Sequence, residues 1–94
     1  MTVPLPFHIN RIARNAANYL RRLPQKTQQA IAEALDDICK SPFAHPNPTV
    51  IRPLKGPHQD RWRYRVGDLR IIYMVNVEEK TIEIIAIGPR GDVY

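Results

Sequence analysis

The chain has 94 residues, a formal net charge of +5, 44% hydrophobic and 24% charged residues, and a single cysteine. At roughly 100–200 residues per domain this is one domain spanning 1–94, and the composition excludes wholesale disorder, collagen and coiled coil. One cysteine excludes a disulfide framework and a Cys-rich zinc site, and no apolar run reaches the roughly 18–20 residues that cross a bilayer. The first residues carry prolines and a histidine where a signal peptide needs a basic cluster and an apolar stretch, so a cytoplasmic protein with no membrane partner is expected.

Val3–Ile9 has strand character, but Pro4 and Pro6 lack amide donors, which restricts it to an edge. Asn10 is an N-cap residue type, and Ile12, Ala16, Leu20 and Leu23 follow at helical spacing, predicting a helix over Arg11–Arg22. Pro24 suits the first turn of a second helix whose buried face is Ile31, Ala34, Leu35 and Ile38. Lys40 complements its C-terminal dipole and Ser41-Pro42 stops it, which completes a helical hairpin. Five of the nine prolines lie between Pro42 and Pro57, so this stretch is a loop, with a short strand over Thr49–Arg52.

The last third is strand. Arg61, Arg63 and Arg65 alternate with Trp62, Tyr64 and Val66. Gly67-Asp68 is a two-residue hairpin turn with Gly at the first central position, as type II′ prefers. Leu69–Val77 returns, Glu78–Lys80 turns again, and Thr81–Ile87 is a third long strand ended by Gly88-Pro89.

Charge is unevenly placed. Residues 52–70 carry six bases and two acids, or +4, against +3 for 1–51 and −2 for 71–94, and arginine outnumbers lysine ten to four. A planar guanidinium fork suits phosphates and carboxylates, so the expected partner is an anion: RNA, DNA or an acidic peptide.

The tight turn sets the hairpin register. Val66 faces Leu69, Tyr64 faces Ile71 and Trp62 faces Tyr73, a core face covered by the helices; on the other face Arg65 meets Arg70, Arg63 meets Ile72 and Arg61 meets Met74. Like charges directly across strands cost ~0.2–1 kcal/mol. An anion between Arg65 and Arg70 removes that repulsion and uses both forks; the alternative is that both side chains splay into water. If the third strand returns beside Leu69–Val77, Arg90 and Tyr94 reach the same face. A phenol among guanidiniums has its anion favoured, which makes Tyr94 a candidate base; otherwise it packs on an apolar edge.

Three segments together, Leu54-Lys55-Gly56, Trp62-Arg63-Tyr64-Arg65-Val66-Gly67-Asp68-Leu69-Arg70-Ile71-Ile72-Tyr73 and Ile87-Gly88-Pro89-Arg90-Gly91-Asp92-Val93-Tyr94, resemble the RelE/ParE toxin superfamily. The resemblance is close over 52–94, and the helical hairpin matches in type and length. It implies a small RelE-like α+β fold: an antiparallel sheet of about four strands with the N-terminal helical hairpin on one face. It also implies the toxin of a type II toxin–antitoxin pair, held by a cognate antitoxin in a hetero-oligomer. In the RelE branch the toxin cuts mRNA in the ribosomal A site and inhibits translation, without metal or other cofactor. The mRNA 2′-hydroxyl attacks the adjacent phosphate and leaves a cyclic phosphate. In the ParE branch the target is DNA gyrase, and a non-catalytic basic binding module is a third possibility.

Carried onto this chain, the resemblance assigns the catalytic set to Arg63, Arg65, Arg70, Arg90 and Tyr94, with Arg52, Lys55 and Arg61 as further RNA-binding residues. Arg65 and Arg70 clamp the phosphate, Arg63 holds the flanking backbone, Arg90 stabilises the transition state and Tyr94 orients or deprotonates the 2′-hydroxyl. Two departures stand out: Pro89 replaces a histidine of many relatives, and arginines at 63 and 65 replace lysines. Guanidinium does not exchange protons at neutral pH. The Arg set with its tail tyrosine favours the RelE branch.

The remaining polar residues have simpler expectations. His8, His45 and His58 lack metal-ligand spacing. Cys39 is expected as a small buried residue, Trp62 and Tyr73 as a cross-strand core pair, and Glu33, Asp36 and Asp37 as a solvated helix face. Arg14, Arg21 and Arg22 are expected to be solvated, with a second nucleic-acid contact as the alternative.

Overall fold

A computed structural model describes residues 6–54 and 60–89. In chain order the elements are β1 (His8–Ile12), α1 (Arg14–Arg22), α2 (Gln25–Lys40), β2 (Ile51–Pro53), β3 (Arg61–Val66), β4 (Leu69–Asn76) and β5 (Thr81–Gly88). The five strands form one sheet in the order β1-β5-β4-β3-β2. Neighbours are antiparallel except β1, which runs parallel to β5. The expected α+β architecture is present, with five strands rather than about four.

The additional pairing changes the N-terminal assignment. His8, Ile9, Arg11 and Ile12 pair with Thr81, Ile82, Glu83 and Ile84, and the register skips at Asn10. Asn10 therefore lies in a strand irregularity instead of capping a helix. The Ala13 amide continues the strand pattern, donating to the Ile84 carbonyl at 2.8 Å, and α1 starts only at Arg14 with no side-chain cap. Ile12, expected on the buried helical stripe, is 38% exposed. Pairing with a strand far downstream outweighs a weak local helical preference.

The helical hairpin is closed by Gln28, whose Nε2 donates to the Leu23 and Arg21 carbonyls at 3.0 and 3.3 Å. These carbonyls stand at the end of α1, where backbone acceptors lack helical partners. Pro24 occupies the N-cap of α2, one position before the first turn expected for it. α1 packs on β5 and α2 on β3, so both helices cover one side of the sheet. Ile31 and Ile38 of α2 meet Ile71, Tyr73, Ile82 and Ile84 in a core from which solvent is excluded. Tyr73 anchors the loop after α2, its hydroxyl donating to the Pro42 carbonyl at 2.6 Å. Trp62 lies opposite Tyr73 as expected, and its ring also meets the edge of Phe43 at 4.9 Å.

The β3–β4 hairpin has the expected register throughout, from Val66↔Leu69 to Arg61↔Met74. Gly67 has φ 56, and Asp68 is not among the residues of positive φ, as a type II′ turn requires. A register shift between Ile72 and Tyr73 places Ile72 opposite Ala86 and Tyr73 opposite Ile84, leaving Ile85 as the extra residue of a bulge. At the centre of the sheet the strands are buried on both sides: Ile72 is 0% and Ala86 2% exposed, although they face away from the helices.

Candidate anion-binding face

The side of the sheet away from the helices collects cations from four strands, most of them from β2, β3 and β4. The hairpin register puts Arg65 of β3 directly opposite Arg70 of β4. The β2–β3 register puts Arg52 opposite Arg63. Alternation along β3 adds Arg61 to the same side. Five guanidiniums thus lie together, four of them in two facing pairs set two residues apart along β3, and a sixth, Arg11 of β1, stands at the far edge of the same side paired with Glu83 at 3.4 Å. A strand rises about 3.3 Å per residue, so the two rows are roughly 7 Å apart.

These arginines are held to different degrees. Arg63 is half-buried, and its Nη2 donates to the Thr49 carbonyl at 2.6 Å. Arg65 is exposed, and its Nε donates to the Gly67 carbonyl in a long 3.4 Å contact at the hairpin turn. The Arg61 Nε is buried without a hydrogen-bond partner among the described residues. Arg70 is half-buried and pairs across to Gly88 of β5. Arg65, Arg70 and the end of β5 therefore share one row, which confirms that the last strand returns beside β4. Lys55, Arg90 and Tyr94 lie outside the described residues, as does His58.

Among the described residues, the buried tyrosines and the cysteine lie off this face, while the Glu83 carboxylate shares its side with Arg61 and accepts Arg11 at 3.4 Å. Tyr64 and Tyr73 point into the helix side and hold their protons. Burial, the hydrogen bond to Asp37 and that carboxylate's charge push Tyr64 from 10 up to about 12. Burial, with Tyr64 nearby, pushes Tyr73 higher still. The Cys39 thiol is buried as expected, and burial and the Asp36 charge raise its pKa against a lowering backbone hydrogen bond from Ile9. Among the described residues, no three His, Cys, Asp or Glu side chains converge as metal ligands would. Nor is any described helix long and apolar enough to cross a membrane.

One expectation is corrected. Glu33 and Asp36 are exposed, but Asp37 is half-buried and accepts the Tyr64 hydroxyl at 2.8 Å, tying α2 to β3 between Arg63 and Arg65. A tyrosine on the core side of a strand needs a partner for its hydroxyl; that requirement is the signal in the sequence, while the identity of the partner is set by packing. Sequence reasoning also missed the Thr49 carbonyl, because a backbone acceptor leaves no residue-type signature, and the Arg52–Arg63 pairing, because no tight turn joins β2 to β3. Arg14, Arg21 and Arg22 are exposed, and Arg21 donates to Asn18 at 3.2 Å.

Residues 11–94 match the family profile described as the ParE toxin of the type II toxin–antitoxin system parDE. The chain belongs to the ParE toxin family, within the RelE/ParE superfamily. Among solved structures it is similar to the archaeal RelE–RelB complex from Pyrococcus horikoshii, at 30% identity over 92% of this chain and 97% of that one, with a TM-score of 0.74. It is also similar to the RelBE2 toxin–antitoxin complex from Mycobacterium tuberculosis, at 25% identity over 94% and 100% of the two chains and a TM-score of 0.73. The isolated Escherichia coli RelE toxin shares the fold at 22% identity over 94% and 89%, with a TM-score of 0.67. No curated protein sequence matches the chain.

Proposed function

We propose that this toxin is an mRNA endoribonuclease that acts in the ribosomal A site. The observation that carries the reading is Arg65 facing Arg70 across the hairpin, with Arg63 beside them on the same face. Unneutralised like charges in this arrangement are unfavourable, and a phosphodiester is an anion that engages both forks. In the proposed reaction the mRNA 2′-oxygen bonds to phosphorus and the bond from phosphorus to the 5′-oxygen breaks. The 2′-hydroxyl proton passes to an acceptor, the leaving 5′-oxygen takes up a proton, and a 2′,3′-cyclic phosphate remains.

Arg65 and Arg70 hold the scissile phosphate and offset the charge that builds on its oxygens. Arg63 holds the flanking backbone, and Arg52, Lys55 and Arg61 extend the contact along the strand. Arg90 stabilises the transition state, and Tyr94 orients or deprotonates the 2′-hydroxyl. No metal is required in this scheme, because the nucleophile belongs to the substrate. A cognate antitoxin neutralises the chain by covering the arginine face or the helical hairpin. The similar structures from Pyrococcus horikoshii and Mycobacterium tuberculosis are toxin–antitoxin complexes, which supports this partner.

A second reading, inhibition of DNA gyrase, is favoured by one observation. The described cations of the face are all guanidiniums, which bind anions and do not exchange protons. The two readings separate when the chain is induced in a bacterial host and mRNA 5′ ends are mapped within minutes. New ends inside translated codons, lost in Arg70→Ala and Arg90→Ala, are expected of the ribonuclease. Growth arrest with intact message and damaged DNA would reject it in favour of gyrase.

A further inference from the structure

Residues 46–49, between α2 and β2, are exposed, yet the chain is closely bonded around Asn47. Pro46 and Pro48 flank this residue, restrict the backbone and supply no amide donors. The Asn47 Oδ1 accepts both the amide and the hydroxyl of Thr49, at 3.0 and 2.8 Å. The Asn47 amide donates to His45 Nδ1 at 3.0 Å, and its carbonyl accepts the Val50 amide at 3.1 Å. Side chains of this type fold the backbone back on itself over two residues.

The product of this turn is a pair of carbonyls aimed at β3. The Val50 carbonyl accepts the Arg65 amide at 2.9 Å, and the Thr49 carbonyl accepts Nη2 of Arg63 at 2.6 Å. The second bond is short, as charge-assisted bonds are. An arginine has a long flexible stem, and a fixed acceptor at its head restricts where the guanidinium can point. The carboxamide of Asn47 thus orients the peptide whose oxygen restrains a cation of the anion-binding face.

We infer that Asn47 is a positioning residue for that face: it sets the Thr49 carbonyl, and that carbonyl aims Arg63. The consequence for RNA rests on the proposal that Arg63 holds the RNA backbone, but the effect of Asn47 on Arg63 is measurable without RNA. Asn47 touches no substrate in this scheme and acts through Thr49. Its side-chain Nδ2 makes none of the bonds described, so Asn47→Asp keeps the acceptor while Asn47→Ala removes it.

The test has two parts. In the chain made by chemical synthesis with 15N-arginine, NMR reports the Arg63 guanidinium, assigned by its loss in Arg63→Ala. Its Nε–H signal is expected to stay at one position in wild type and Asn47→Asp, and to shift away from that position in Asn47→Ala. The Tyr64 and Ile71 amide signals serve as the check that the sheet is intact. An Arg63 signal unchanged by Asn47→Ala overturns the inference. In message cleavage, Asn47→Ala is expected to cost roughly tenfold when Arg63 is present and less than about twofold when Arg63 is already alanine. Losses that multiply would mean that Asn47 acts by another route, and would also overturn it. If Arg63→Ala alone leaves cleavage intact, the RNA role of Arg63 falls, while the NMR result still decides what holds Arg63.

Discussion

Replacing Arg70 by glutamine separates the stability of the sheet from its work. Arg65 is exposed, Arg70 is half-buried, and the two face each other in register. Two unit charges ~7 Å apart in a water-like dielectric repel by about 0.6 kcal/mol, within the range for like pairs across strands. For a domain of this size that corresponds to a Tm change of about 2–5 °C. Glutamine removes the charge but also part of the stem that packs on the sheet, a loss that opposes the gain. The packing loss does not depend on salt, whereas the repulsion does. At about 10 mM salt the screening length is near 30 Å, and at about 1 M it is near 3 Å. Thermal unfolding followed by circular dichroism is therefore run at both concentrations. The Tm of Arg70→Gln relative to wild type is expected to be higher at low salt than at high salt by those few degrees, while growth arrest on induction is lost. A relative Tm that is independent of salt, or lower at low salt, refutes the argument that the facing arginines are held in mutual repulsion.

Three further predictions concern the scaffold behind that face. Tyr73→Phe leaves the Pro42 carbonyl without its 2.6 Å donor and is expected to cost about 1–3 kcal/mol in chemical unfolding; a loss below about 0.5 kcal/mol would show that the bond contributes little. Tyr64 titrates near 10 when unfolded and is pushed up to about 12 in the fold, so its contribution is complete below pH 10 and declines as pH rises toward 12. Tyr64→Phe should make unfolding free energy fall less steeply over that window, with Tyr73 still contributing in the same direction; an unchanged slope would contradict the shift. At Gly67, φ is 56 and an added Cβ meets nothing within 4 Å, so Gly67→Ala tests backbone conformation alone. It is expected to cost about 1–2 kcal/mol, and a neutral result in equilibrium unfolding would mean that the turn relaxes to another type.

The arginine hairpin was legible in the sequence because its determinants are local. Strict alternation from Arg61 to Val66 assigns each side chain to a face, and Gly67-Asp68 in a two-residue turn leaves one register. Arg65 opposite Arg70 follows from these facts, as does the core row of Trp62, Tyr64 and Val66. The second helix was legible for the same reason, since Ile31, Ala34 and Ile38 recur at the helical period and all are buried. Only the tertiary structure decided that strand continues through residues 10–12, where a helix cap and helix start were expected, because their partner is β5, whose pairing lies far downstream and offers no local signal. It also decided that Asp37 accepts the Tyr64 hydroxyl, that Ile72 is buried on the side of the arginines, and that Thr49 restrains Arg63. Local steric rules act over a few residues, so periodicity and turn chemistry reveal what they control. Hydrogen bonds and burial between distant segments depend on which surfaces meet once the helices have packed on the sheet.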